Sequence, residues 1–381
     1  MSEKALEGVK VADFSWMAAG PLTTRYLAFL GAQVVRVESK TRVDPARTFG
    51  PFRDDILGLD RSLLTATGQT NKYGITLNLR HPGGVEIAKR LVAWADIAAE
   101  NFAPGTMEGF GLSYEELRQV KPDIIMISLS NLGQTGPLAS RPGAGAQLQA
   151  LSGFTDIIGW PDRTPAGPYF AYTDYIAPYF GAVALLAALD YRRQTGRGMY
   201  FDLSQFETGL HFLAPALLDY SANGREAQRM GNRCPYAAPH GAYRCRGDDR
   251  WCAIGVFTDG EWRAFCRVIG NPTWTEATRF STLMARLENV DELDRLVGEW
   301  TADHSAEEVM ALMQEAGVAA GVVQNAQDLA QDVQLRHRQF YRHIDNHREI
   351  GSYEYLDLPF TLSHPPPLEG RSAPCLGEHN E

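Results

Sequence analysis

Cysteine, basic charge and long apolar runs are all in short supply in this 381-residue chain. Its five cysteines, Cys234, Cys245, Cys252, Cys266 and Cys375, are odd in number and no pair shows the two-residue spacing of a zinc site. A disulfide framework and a cysteine-held metal are therefore not expected; buried free thiols are. Lys and Arg number 36 against 46 Asp and Glu, for a net charge of -10. The basic surface that nucleic-acid binding requires is missing, although a local basic pocket for a small phosphorylated ligand stays open. No run approaches the roughly 18 consecutive apolar residues of a membrane span, and the first residues, Met1-Ser-Glu-Lys-Ala-Leu-Glu7, lack the cationic and apolar pattern of an export signal. The expectation is a cytoplasmic protein with neither nucleic acid nor membrane as partner. No internal repeat or low-complexity tract stands out.

What is present is ordinary globular material, 44% hydrophobic and 22% charged, enough for a large core and about two or three domains. Val9 to Phe14 reads as a strand, Pro21 suits the first helical turn, and Gly31 stops that helix before a strand over Gln33 to Val37. The alternation continues with a strand over Ile75 to Leu79, a helix over Val85 to Trp94, a strand over Asp96 to Glu100, a helix from Ser113 and a strand over Ile124 to Leu129. Ser113-Tyr-Glu-Glu116 has capping-box spacing, as does Ser204-Gln-Phe-Glu207, which opens an apolar helix through Leu218. Strand and helix in alternation predict an open, mostly parallel, Rossmann-like sheet with helices on both faces.

The predicted organisation is a large domain over residues 1–220, a smaller α+β domain over 225–325, and a return segment over 326–381 that packs on the large domain. Within the small domain, Trp251 to Val256 reads as strand and Ser305 to Glu315 as helix.

One acid stands out against this frame. Asp174 lies just before the apolar run Val183 to Leu189, which ends in Asp190-Tyr-Arg-Arg-Gln-Thr-Gly196-Arg-Gly198. Asp174 is either a helix cap, stabilising by roughly 1 kcal/mol, or a carboxylate kept for chemistry. The local sequence leaves both readings open.

Taken together, Asp174, Gly181-Ala-Val-Ala-Leu-Leu-Ala-Ala-Leu189, Thr195-Gly-Arg-Gly198 and Phe201-Asp-Leu-Ser204 resemble the signature of the class III CoA-transferases, the formyl-CoA transferase and carnitine CoA-transferase (CaiB/BaiF-like) family. The resemblance extends to Val11-Ala-Asp-Phe14 through Gly20-Pro21, Phe29 through Glu38, Asn71-Lys72, Thr76-Leu77-Asn-Leu-Arg80 and Glu100-Asn101-Phe102-Ala-Pro-Gly105. It continues through Gly231-Asn232-Arg233, Pro239 to Cys245 and Gly317 to Gly321, ending at Leu376-Gly-Glu-His379.

The resemblance implies that Asp174 is a covalent nucleophile. Coenzyme A would be held by the loop Trp16, Met17 and Ala18, by Ser39, Lys40 and Arg80, and by Leu77, Asn101, Phe102 and Ala103. It implies a CoA-transferase acting through aspartyl mixed-anhydride and aspartyl-CoA thioester intermediates, with succinyl-CoA a candidate donor and a carboxylic acid as acceptor. No permanently bound cofactor or metal is expected, because the coenzyme A thioester is itself the substrate. An interlocked homodimer is implied, or a heteromer with a related subunit.

Departures from the pattern also matter. Gly109 stands where some relatives have an arginine, Cys234-Pro-Tyr-Ala-Ala238-Pro239 replaces a glycine-rich loop, and Arg141-Pro-Gly-Ala144-Gly145 lacks aromatic and acidic residues common there. Tyr236 and His240 are alternatives for covering the pocket. Acyl-CoA racemisation on the same fold would need an acid/base pair after Gly133-Gln-Thr-Gly-Pro137, where this chain has Ala144 and Gly145. A CoA-binding subunit of a heteromeric transferase is the third reading. Trp16, Phe170, Tyr172, Tyr175 and Tyr179 suggest a roomy aromatic lining.

Overall fold

The computed structural model describes residues 4–363 and 370–381, and the proline cluster Pro365 to Pro367 lies outside the described residues. The chain divides into two compact units, one of residues 1–156, 166–227 and 334–381, the other of residues 157–165 and 228–333.

The first unit is built on six strands: β1 (Lys10–Asp13), β2 (Gln33–Glu38), β3 (Tyr73–Thr76), β4 (Ile97–Glu100), β5 (Ile125–Ser130) and β6 (Met199–Ser204). Every pairing is parallel and the order is β3-β2-β1-β4-β5-β6. The expected parallel sheet is therefore present, in the doubly wound order whose direction of travel reverses between β1 and β4. Successive strand residues turn to opposite faces. Val11, Val34, Ile97, Ile127 and Leu129 pack with Leu27 and Leu185 on one side; Ala12, Val37, Ala98 and Met126 pack with Ala88, Val92 and Leu117 on the other. Burial on both faces is why these strands read as apolar runs.

The strand expected over Ile75 to Leu79 starts two residues earlier and ends at Thr76. Leu77 makes a last ladder bond to Glu38, after which Leu77 and Leu79 turn toward a cavity beside the sheet. Their alternating apolar pattern reflects packing against the sheet's core as well as the cavity wall. The helix expected from Ser204 through Leu218 is two helices, Gln205–Phe212 and Ala214–Asn223. Pro215 sits in the first turn of the second, where its missing N–H costs nothing. Ser113 forms the full capping box, whereas Ser204 accepts from the Glu207 amide without the return bond.

The amides of β3, an edge strand, are covered by the C-terminal residues. His379 N donates to Gly74 O at 2.9 Å, and Thr76 N donates to Asn380 Oδ1 at 2.8 Å. An antiparallel hairpin, β10 (Tyr341–His347) with β11 (Gly351–Leu356), belongs to the same unit.

The second unit holds an antiparallel sheet of β7 (His240–Arg244), β8 (Trp251–Gly255) and β9 (Ala319–Val322). The helices Asp259–Val268, Val290–Ala302 and Ala306–Glu315 supply Phe265, Leu293, Val297, Val309 and Met313 to its core. All five cysteines are buried and unpaired, and four of them are in this unit.

Candidate active site

In a parallel crossover each helix starts where its preceding strand ends, so helix N-termini gather at the carboxyl edge of the sheet, where ligands of doubly wound folds bind. The helices Ala19–Phe29 and Tyr172–Thr195 both begin there and pack together on one face. Gly181 permits the close approach, since a Cβ at this position would stand 2.9 Å from Thr23 Cγ2.

Asp174 lies in the first helical turn and is not the cap. That place belongs to Ala171, which offers no side-chain bond. The Asp174 carboxylate is half-buried, and no hydrogen bond or ion pair holds it among the described residues. Burial without compensation pushes its carboxyl up to about 6. Pro178 follows four residues later and has no N–H to give to the Asp174 carbonyl, so the first turn is loosely tied. Gly145 faces the acid. A Cβ there would stand 2.1 Å from Ala171 Cβ and 3.1 Å from Asp174 Oδ2. No side chain fits at this position without displacing its neighbours, which accounts for the glycine and leaves no room for a racemase histidine at 145.

A second acid at the same edge shows the opposite treatment. Asp13, the last residue of β1, is fully buried. It accepts from Lys72 Nζ at 3.0 Å, from Thr24 Oγ1 at 2.6 Å, and from both the amide and hydroxyl of Ser15. Burial works to raise the Asp13 carboxyl, but Lys72 and the two hydroxyls prevail and hold it below the usual range. Burial lowers the Lys72 ammonium to about 8, against the pull of Asp13, so both groups are charged at neutral pH. Lys72 also donates to Pro21 O at 2.7 Å and Gln69 Oε1 at 3.0 Å. It is an internal strut of this unit and does not line the cavity.

That cavity, of about 290 Å3, opens at the ends of β1 to β4. Of the residues expected to hold coenzyme A, Trp16, Ser39, Leu77, Arg80, Phe102 and Ala103 line it together. Four do not. Ala18 is buried, Lys40 and Met17 are exposed beyond the wall, and Asn101 is engaged elsewhere. Asn101 Oδ1 accepts from Trp16 N at 2.7 Å while its Nδ2 donates to Trp16 O at 2.8 Å, so this amide clamps the Trp16 loop. The next amide, Met17 N, donates to both Asp44 oxygens at 3.1 and 3.2 Å, and Met17 has a φ of 60°, a left-handed backbone fixed by its surroundings.

Phe14, Thr41, Arg42, Leu79, Thr106 and Phe110 also line the cavity, with Val37, Glu38 and Asn78, and none of them was expected there from the sequence. Each lies at the end of an observed strand or within about ten residues after it, in a sheet whose order places those ends side by side.

The five aromatics expected to share one lining separate into different contacts. Trp16 meets Phe102 edge to face at 5.5 Å, Tyr179 stacks on Tyr26 at 5.2 Å, and Tyr172 meets Phe154 at 5.4 Å. Phe170 and Tyr175 alone form a pair near Asp174, 6.2 Å apart. On the second unit, Tyr236 is exposed, and His240 pairs with Asn232 O at 2.6 Å and packs on Phe257.

The chain is similar to known proteins over nearly its whole length. The chain is 33% identical to the succinyl-CoA–D-citramalate CoA-transferase of Chloroflexus aurantiacus, over 99% of this chain and 92% of the relative. It is 30% identical to the beta subunit of the succinyl-CoA–L-malate CoA-transferase of the same organism, with the same coverage. A crystal structure of a CAIB/BAIF family protein from Brucella suis superposes with a TM-score of 0.90 at 30% identity, covering 100% of this chain and 98% of that one. The model of CoA-transferase family III matches residues 6–380, and the chain belongs to that family.

Proposed function

We propose that the chain moves coenzyme A from an acyl-CoA donor, succinyl-CoA foremost, to a carboxylic acid, and that Asp174 carries the acyl group between them. The observation that supports this reading most strongly is a half-buried carboxylate at the carboxyl edge of the sheet that no group among the described residues neutralises. Relatives of nearly the same length that use succinyl-CoA with D-citramalate or L-malate support the donor.

An Asp174 oxygen attacks the thioester carbonyl, the C–S bond breaks, and coenzyme A leaves as the thiolate. The product is an aspartyl-acyl anhydride. The thiolate then attacks the Asp174 carbonyl, expels the donor acid and leaves an aspartyl-CoA thioester. An acceptor carboxylate attacks that thioester and releases the thiolate again. The thiolate closes the cycle at the acceptor carbonyl, giving acceptor-CoA and free Asp174. The step conserves the thioester bond only if water is kept from both intermediates.

We extend the proposal to a cytoplasmic enzyme acting as an intertwined pair of copies, or with a related unlike subunit. Tyr179, Phe180, Val183 and Leu186 on the helix Tyr172–Thr195 are exposed in the single chain, an apolar face suited to cover by another subunit. This helix is long and apolar enough to cross a membrane by length and composition, but its other face is part of the sheet's core.

The experiment is to mix the chain with succinyl-CoA, quench with hydroxylamine and locate the adduct by peptide mass spectrometry. A hydroxamate on Asp174 is expected. Asp174→Ala should lower transfer by about 10⁴-fold or more. Transfer at the wild-type rate in that variant would overturn the proposal.

A further inference from the structure

Arg42 is the one residue of the cavity wall whose guanidinium lies over an aromatic face, 5.6 Å from the centre of the Trp16 ring. Its place is set from below: Ser39 Oγ accepts from the Arg42 amide at 3.3 Å and from the Thr41 amide at 3.2 Å, which folds residues 39–42 into a turn at the end of β2. Trp16 is itself fixed by the Asn101 clamp and by Phe102.

Two cations, Arg42 and Arg80, line this cavity, and neither forms an ion pair among the described residues. The acid in the wall, Glu38, is buried and already bracketed by Arg36 at 3.3 Å and Arg47 at 2.6 Å. The cavity thus combines an aromatic wall with two uncommitted guanidiniums and no uncompensated carboxylate. An apolar pocket would gain nothing from two exposed cations, whereas a flat base joined to phosphate uses both features: the base packs on the rings and the guanidinium forks meet phosphate oxygens.

We propose that Arg42, held against Trp16, is a phosphate-binding residue of this cavity, acting with Arg80 on the phosphorylated adenosine end of the ligand. The inference rests on the reading of the substrate as a coenzyme A thioester, and it adds that selection for phosphate is made by a residue from the turn after β2. Arginine matters here for two reasons: its guanidinium can pack over an aromatic face, and its edge carries donors in a fork that fits phosphate.

The test is calorimetric titration of the full-length chain with adenosine 3′,5′-bisphosphate, ADP and adenosine. Arg42→Gln should weaken the bisphosphate by about tenfold or more while leaving adenosine within about twofold. Arg42→Lys, which keeps charge and loses the fork, should recover part of the loss. A loss confined to the bisphosphate assigns the ribose phosphate to Arg42, and an equal loss for ADP assigns the 5′ side; either supports the proposal. It is overturned if Arg42→Gln binds all three ligands like the wild type, if adenosine weakens as much as the nucleotides, or if the wild-type chain does not prefer the nucleotides to adenosine. No turnover enters these titrations, so they are read independently of the hydroxylamine experiment on Asp174.

Discussion

The end of β1 and the start of the helix Tyr172–Thr195 each place an aspartate at the carboxyl edge of one sheet, and the fold treats the two in opposite ways. Around Asp13 it assembles an ammonium, two hydroxyls and an amide; around Asp174 it assembles Ala171, the bare backbone of Gly145 and, among the described residues, no donor. Burial acts on both. It is overcome at Asp13 and prevails at Asp174, whose carboxyl rises to about 6. A satisfied acid stabilises the fold and has little reactivity to spare. An unsatisfied one costs stability and keeps its lone pairs for a substrate. Position in the fold does not separate structural from chemical carboxylates, whereas the supply of partners does.

Breaking the satisfied site should have the largest effect on folding. Lys72→Met leaves Asp13 charged and buried, so urea denaturation should show a loss of about 3–5 kcal/mol. A variant as stable as the parent would mean that the pair is not what secures the strand end. Removing the unsatisfied charge should act in the other direction. Asp174→Asn is expected to stabilise the chain at pH 8 by about 1–3 kcal/mol.

The sign follows from linkage. A carboxyl raised on folding holds its proton more tightly in the folded state, so stability is lost as pH climbs from 3.8 toward about 6 and the penalty is complete above that range. Near pH 3 the two proteins should therefore melt alike, and a gain that persisted there would assign the effect to something other than charge.

The smallest expected effect is kinetic. The nucleophile must be ionised, so kcat/KM should fall by about tenfold per pH unit below about 6, and a profile flat to pH 5 would contradict the raised carboxyl.

Much of the scaffold was legible because the forces involved are local. The apolar runs at Val11, Val34, Ile97 and Ile125 predict strands because both faces of a parallel sheet are buried, and Ser113 and Ser305 announce helix starts because a cap is formed within four residues. The strand at β3 was misplaced where one local pattern served two purposes: Ile75, Leu77 and Leu79 alternate like a strand, yet the last two line the cavity. Asn101 was named by the resemblance, and only the folded chain shows both ends of its amide used on Trp16. Arg42 carries no motif, and only its place over a ring from another strand end distinguishes it from an ordinary surface cation.

By itself, the sequence determined the strand-helix alternation, the place of Asp174 at the start of an apolar helix, and the resemblance that named a chemistry. Periodicity, caps and motif spacing are properties of neighbouring residues, so they survive in one dimension. The tertiary structure alone decided which acid is neutralised, since Lys72 reaches Asp13 across 59 positions of chain, and which residues share a cavity, since four strand ends meet there only when the sheet is formed. Desolvation and charge pairing depend on distance in space and on exclusion of water, and neither is defined until the chain has folded.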